Sequence, residues 1–247
     1  MRGVILAAGR GRRLAAHNGH GSKVLLPVEG RPIIDYTLEA FSQVGVTDLV
    51  IVIGYEGDAV RECVGDGSER GLNIQYVFNP YYEQGNALSL YAARPLMSGE
   101  PFLLSMADHV ISPELLARML EIREPVNVLA VDFTTSARYM EESTRVMVDG
   151  EGLITDIGKE IIRWNGVDAG VFQLTPAVFE VMEEFISEKG SEHLLSQTIT
   201  RMIEREHLLW ACDISSCFWH DIDTLDDLNV VRRVMAGEEA WTNQRTA

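Results

Sequence analysis

A chain of 247 residues is long enough to bury a large core, and its 46% hydrophobic content is ordinary for a soluble globular protein. No apolar run approaches the ~18 to 20 residues that cross a bilayer, and three cysteines without a CxxC pair (Cys63, Cys212, Cys217) argue against a disulfide framework or zinc site and fit a reducing cytoplasm. A formal net charge of −16 argues against nucleic acid and anionic membranes as partners.

The predicted elements alternate through the first half. MRGVILAAG opens like a short signal peptide, but its apolar stretch is only about six residues and arginines follow at once, so VILAA (4–8) reads as a buried strand. A helix over 33–45, a strand over 48–54, a helix over 56–64, a strand over 73–79 and a helix over 86–97 follow. FLLSMAD (102–108) is a fourth strand, Ser112-Pro113 starts a helix running to about Ile122, and 126–133 is another strand. Residues 143–174 read as short strands with a turn at Asp149-Gly150. Thr175-Pro176 starts a helix, 193–206 is a further one, 208–213 and 218–223 are late strands, and a last helix runs from about Leu225 to Met235. Strands alternating with helices imply a three-layer α/β/α, Rossmann-like fold with a mixed, mostly parallel sheet and a small β-rich insertion. One domain over 1–237 and a tail over 238–247 are expected.

Charge is distributed unevenly. Residues 1–31 hold six basic side chains and one acid, a local +5, which leaves −21 for the other 216 residues. Arg10, Arg12 and Arg13 fall in LAAGRGRRL (6–14), the turn after the first strand. Ligands of open α/β sheets bind beyond the C-terminal ends of strands. Gly9 and Gly11 let backbone amides approach an anion, and Arg12 or Arg13 can neutralise phosphate oxygens. A dinucleotide fingerprint fails because Leu14 stands where the third glycine belongs, and a Walker loop fails because Lys23 follows Ser22.

LAAGRGRRL followed by SKVLLPVEGRPII (22–34) resembles the opening of the nucleotidyltransferase family that activates sugar phosphates and alcohol phosphates. The resemblance implies the nucleotide-diphospho-sugar transferase fold and a loop that binds nucleotide phosphates, with Arg13 and Lys23 contacting them. Leu6, Ala7, Ala8, Gly9 and Gly11, together with Gly85, Asn86 and Ser89 of EQGNALSL (83–90), would then line the nucleotide site.

Asp108 closes the fourth strand at the sheet edge of the phosphate turn, and Asp221 and Asp223 in FWHDID share one face of a late strand. Three converging carboxylates suit Mg²⁺. The same family places metal-binding acids at positions like these. His109 and His220 are read as supporting residues. Thr224 to Asp227 has the spacing of a capping box, and Asp226 and Asp227 are assigned to the surface.

SMADHVIS (105–112), ITDIGKE (154–160) and GVDAGVFQL (166–174) resemble the inositol-1-phosphate cytidylyltransferases, over about residues 1–235. That branch implies Arg145, Lys159 and Asp168 as acceptor ligands, Arg13, Lys23 and Lys159 as catalytic cations, and CTP with inositol 1-phosphate as substrates. Its members commonly form half of a fusion with a membrane-embedded CDP-alcohol transferase, so a downstream partner of that kind is expected. Phosphocholine and aminoethylphosphonate cytidylyltransferases have similar patterns, and Tyr81, Tyr82, Trp164 and Trp219 are candidates for a choline cage. Other sugar-phosphate nucleotidyltransferases and a non-catalytic nucleotide sensor are the remaining alternatives.

Overall fold

A computed structural model describes residues 1–14, 21–122, 126–134, 143–189 and 194–238. The first half contains β1 (Arg2–Ala7), the short hairpin β2 (Pro27–Val28) and β3 (Arg31–Pro32), α1 (Ile33–Gln43), β4 (Asp48–Ile53), α2 (Gly57–Val64), β5 (Asn73–Phe78), α3 (Asn86–Ala93), β6 (Phe102–Met106), β7 (His109–Ile111) and α4 (Pro113–Glu121). The second half contains β8 (Asn127–Asp132), β9 (Arg145–Val148), β10 (Ile154–Gly158), β11 (Gly166–Leu174), α5 (Ala177–Lys189), α6 (Leu195–Glu204), β12 (Leu209–Asp213), β13 (Trp219–Asp221) and α7 (Leu225–Met235).

A nine-stranded sheet runs β10-β9-β11-β6-β1-β4-β5, with β8 pairing β11 and β12 off that path. β1, β4, β5 and β6 are parallel, while β11 runs antiparallel to β6, β8 and β9. Alternation along β1 divides the core. Ile5 and Ala7 face the layer that includes Leu38, Phe41, Val60 and Leu115, and Val4 and Leu6 face the layer that includes Leu90, Val178 and Ile199. The three-layer architecture expected from the sequence is therefore present. The β-rich middle, β9 to β11, joins the central sheet itself.

Two departures from expectation have physical reasons. The strand expected over 102–108 stops at Met106. Ala107 still donates to the Leu6 carbonyl, but the chain then peels away so that β7 can pair with β13, a partner more than a hundred residues on. The helix expected over 86–97 ends at Ala93 and tightens into a 3₁₀ turn (Arg94–Leu96), because Pro95 has no N–H to continue the α ladder. The helix expected from 193 is described from Leu195, and residue 193 lies outside the described residues, as does the expected tail beyond Glu238. Among the described residues no helix is long and apolar enough to cross a membrane.

A third, smaller core positions the site. Leu14 of the arginine turn, Leu26, Val28, Ile33, Val110, Ile222, Leu228 and Val231 form one buried cluster. It ties the turn after β1 to β7, β13 and α7.

Candidate active site

The turn after β1 carries its cations on a constrained backbone. Gly11 has φ +59°, and a Cβ there would lie 2.3 Å from the Lys23 Cβ. A Cβ at Gly9 would meet no atom of the described residues within 4 Å, so among them its surroundings are open. The two glycines thus serve different ends. Gly11 lets the Lys23 stem pass against the turn, and Gly9 leaves space for a group arriving from solvent.

Lys23 lies at the centre. Its side chain is 6% exposed, and Nζ is 2.7 Å from Asp108 Oδ2, 2.5 Å from Asp223 Oδ1 and 3.9 Å from Asp221 Oδ1. Burial opposes its charge, but the carboxylates of Asp108, Asp221 and Asp223 outweigh burial and raise its pKa. Arg13 Nη1 reaches Asp223 Oδ2 at 3.3 Å, while Arg10 and Arg12 both lie on Glu83, at 3.6 and 3.2 Å.

The acids come from two antiparallel segments. Asp108 stands in the turn between β6 and β7 rather than closing the strand, and the β7–β13 register sets Asp221 opposite His109. His109 Nδ1 is 3.3 Å from Asp108 Oδ1, and Nε2 is 4.0 Å from Asp221 Oδ2. Burial disfavours its charge, but Asp221 and Asp108 prevail and push it up to about 9. Burial also works against the charge on Asp108 and is overcome by Lys23 and His109, which hold that carboxyl well below its usual range. Asp221 is different. Burial raises its pKa to about 6, and its Oδ1 is buried without a hydrogen-bond partner among the described residues. Asp108, His109 and Asp221 each offer an atom within 4.8 Å of the others, so this group could hold a divalent ion. A buried, unbonded carboxylate oxygen is what an oxygen-seeking cation would satisfy. Asp223 lies beside the group on Lys23 and Arg13.

The acceptor residues expected from the sequence are placed along β9 to β11. Arg145 pairs with Val167 in the sheet register, its guanidinium lies 5.9 Å from the Trp164 ring centre, and Nη1 donates to the Ile161 carbonyl. Asp168 Oδ1 accepts from the Gly170 N–H at 2.7 Å, within a bulge where β11 shifts register. Burial raises the Asp168 pKa to about 6. Gly170, at φ +72°, is needed because a Cβ would lie 2.8 Å from the His109 ring. The bulge therefore sets Asp168 and the His109 ring on neighbouring ground. Lys159 is exposed just beyond β10.

On the other side, Gly54 packs so closely that a Cβ would lie 2.8 Å from the Ala8 carbonyl, and Tyr55 N–H donates to that carbonyl. Gly85 precedes α3 at φ +107°. Ser89 is buried and accepts from Asn79, and the Asn86 carboxamide accepts from Leu195 N–H. The four aromatics considered as a cage have separate surroundings. Tyr82 packs near Tyr55, Trp164 lies under Arg145, Trp219 donates to Asp132, and Tyr81 is exposed.

The MobA-like NTP transferase domain family matches residues 3–204. The chain belongs to that family. A bifunctional IPC transferase and DIPP synthase of Rubrobacter xylanophilus is 32% identical over 242 residues, which cover 97% of this chain and 53% of that protein. A CMP-5'-(3-aminopropyl)phosphonate synthase of Streptomyces rubellomurinus is 30% identical over 241 residues, 92% of this chain and 37% of that protein. The structure of the inositol-1-phosphate CTP transferase from T. maritima superposes with a TM-score of 0.84 at 27% identity, covering 98% of this chain and 97% of that one. The chain spans about half the length of the first curated relatives it matches.

Two features of this MobA-like domain escaped the sequence. Glu83 as the seat of two arginines needed only the thought that three clustered cations require a counter-charge. Asp227, assigned to the surface, is instead half-buried and accepts from the N–H groups of Asp223 and Thr224. Its capping-box spacing hid that wider reach.

Proposed function

We propose that the chain is a cytidylyltransferase that transfers CMP from CTP to inositol 1-phosphate, giving CDP-inositol and pyrophosphate. The carrying observation is the convergence of Asp108, Asp221 and Asp223 on Lys23 in a fold shared with the T. maritima transferase over nearly its whole length. Arg13, Lys23, Gly9 and Gly11 hold the triphosphate, with Leu6, Ala7, Ala8, Gly85, Asn86 and Ser89 forming or backing the nucleotide wall. Arg145, Lys159 and Asp168 receive the phosphorylated alcohol, and Asp108, Asp221 and Asp223 hold Mg²⁺. The unbonded Asp221 oxygen supports that assignment.

The acceptor phosphate attacks the α-phosphorus in line. Its second pKa is ~6, so at neutral pH it is already anionic and needs no general base. The difficulty is bringing two polyanions together, since unit charges 4 Å apart repel by about 4 kcal/mol at an effective dielectric of 20. Bound Mg²⁺ supplies charge neutralisation on the transferring group. Lys23 and Arg13 add fixed cations, and Arg10 and Arg12 are held on Glu83 by exposed ion pairs that contribute little and yield readily to a polyphosphate. The first curated relatives are about twice as long and named bifunctional IPC transferase and DIPP synthase, which is compatible with a second activity acting on the product; a membrane-embedded CDP-alcohol transferase is the partner proposed for it.

Pyrophosphate release, measured across five nucleoside triphosphates and a panel of phosphorylated alcohols and phosphonates, tests the assignment. Turnover is expected with CTP and inositol 1-phosphate and is lost on chelation of Mg²⁺. Turnover preferring choline phosphate, an aminoalkylphosphonate or a hexose phosphate with UTP would replace it, and nucleotide binding without turnover would leave only a sensor.

A further inference from the structure

The two late carboxylates are carried by a five-residue arc, His220 to Thr224, that runs from the end of β13 to the cap of α7. One side chain reaches both ends of it. Asp227 Oδ2 accepts from Asp223 N–H at 3.1 Å, Thr224 N–H at 2.8 Å and the Thr224 hydroxyl at 2.8 Å, and Oδ1 lies 3.7 Å from His220 Nε2. A capping box accounts for only part of this. In a box, the side chain at the third helical position returns to the N–H of the cap residue, here Thr224. The additional bond to Asp223 N–H and the approach to buried His220 go beyond what starting a helix requires.

We infer that Asp227 is a positioning residue, fixing the arc so that the carboxylates of Asp221 and Asp223 converge on Lys23. The inference rests on the metal role proposed for those two acids. Its rigidity comes from α7. Leu228 and Val231, one and four residues beyond Asp227, pack into the cluster that also holds Leu14, Val110 and Ile222. Leu14 belongs to the arginine turn and Ile222 sits between the two acids. Through this helix the arginine turn and the acid arc share one anchor.

Partners that orient metal-ligating groups typically contribute 10–100-fold in metal affinity. The test is Mn²⁺ binding to the full, nucleotide-free chain, read by the electron paramagnetic resonance signal of free Mn²⁺, with thermal unfolding of every variant alongside. Thr224→Ala removes the cap hydroxyl but leaves the backbone bonds to Asp227, so it should lower the melting temperature and leave the Mn²⁺ Kd within about twofold of wild type. Asp227→Ala should weaken Mn²⁺ by at least ~10-fold, and Asp227→Asn, which retains an acceptor oxygen, should recover part of that loss. If Asp227→Ala does not fold, Asp227→Asn carries the comparison with Thr224→Ala. Equal Kd values in wild type and the Asp227 variants, or equal weakening by Thr224→Ala, overturn the positioning role while leaving the metal site standing. A wild-type chain that binds no Mn²⁺ overturns the metal assignment and this role with it.

Discussion

Lys23 occupies, with a single positive charge, the middle of three carboxylates. In the nucleotide-free chain it is their counter-ion, and a divalent cation entering the cluster must compete with it. Replacing Lys23 by Met should therefore have opposite effects on two measurements. Mn²⁺ should bind the nucleotide-free variant more tightly, because its competitor is gone. Turnover should fall by ~10² or more, the scale of losing one preorganised electrostatic group. A Met variant with weaker ion binding than wild type would count against this placement of the lysine. Asp108→Ala should lower turnover on the same scale while leaving Lys23 with Asp223. At this scale the sequence was informative where chemistry is local: Asp108, Asp221 and Asp223 stood out as candidates by residue type and position, and Lys23 through the resemblance its motif carries. It was uninformative about His109, whose contacts with Asp108, Asp221 and Gly170 depend on three separate segments.

Among the elements, the turn after β1 has two glycines with separable roles. Gly11 is in the left-handed region and abuts the Lys23 stem. Gly11→Ala adds backbone strain of about 1–2 kcal/mol before any displacement of Lys23, so it should lower both the melting temperature and kcat. Among the described residues nothing crowds Gly9, so Gly9→Ala should keep the melting temperature within about a degree and raise the nucleotide KM instead. Steady-state kinetics and calorimetry on the two variants check the contrast, and a stability loss at Gly9 equal to that at Gly11 would refute it. The helices and parallel strands were readable because buried strands and amphipathic helices leave periodic patterns. β7 was not readable. Three residues of strand have no period, and their partner β13 lies far along the chain.

The molecule as a whole should lose stability as Asp168 ionises. Its folded-state pKa of about 6 stands above the ordinary 3.8 because of burial. The folded protein thus binds this proton more tightly than the unfolded chain does. The stabilisation is complete below about pH 4 and is lost as pH rises through about 6, amounting to roughly 3 kcal/mol between those limits. Asp168→Asn keeps an oxygen for Gly170 N–H and removes the charge. Denaturant unfolding should find it more stable than wild type at pH 7.5 and equal near pH 4. A difference that does not vary with pH would sink this account.

The sequence alone determined the alternation of strands and helices, the cationic turn and the kinds of side chain available for phosphate and metal. These follow from short-range periodicity, glycine spacing and charge, which survive in one dimension. Tertiary structure alone decided that Asp108 lies in a turn, that Glu83 holds two arginines, that Gly11 makes room for Lys23, and that Asp227 grips the acid arc. Each of these depends on contacts between residues whose proximity exists only once the sheet order, the β7–β13 pairing and the α7 anchor have brought distant segments together.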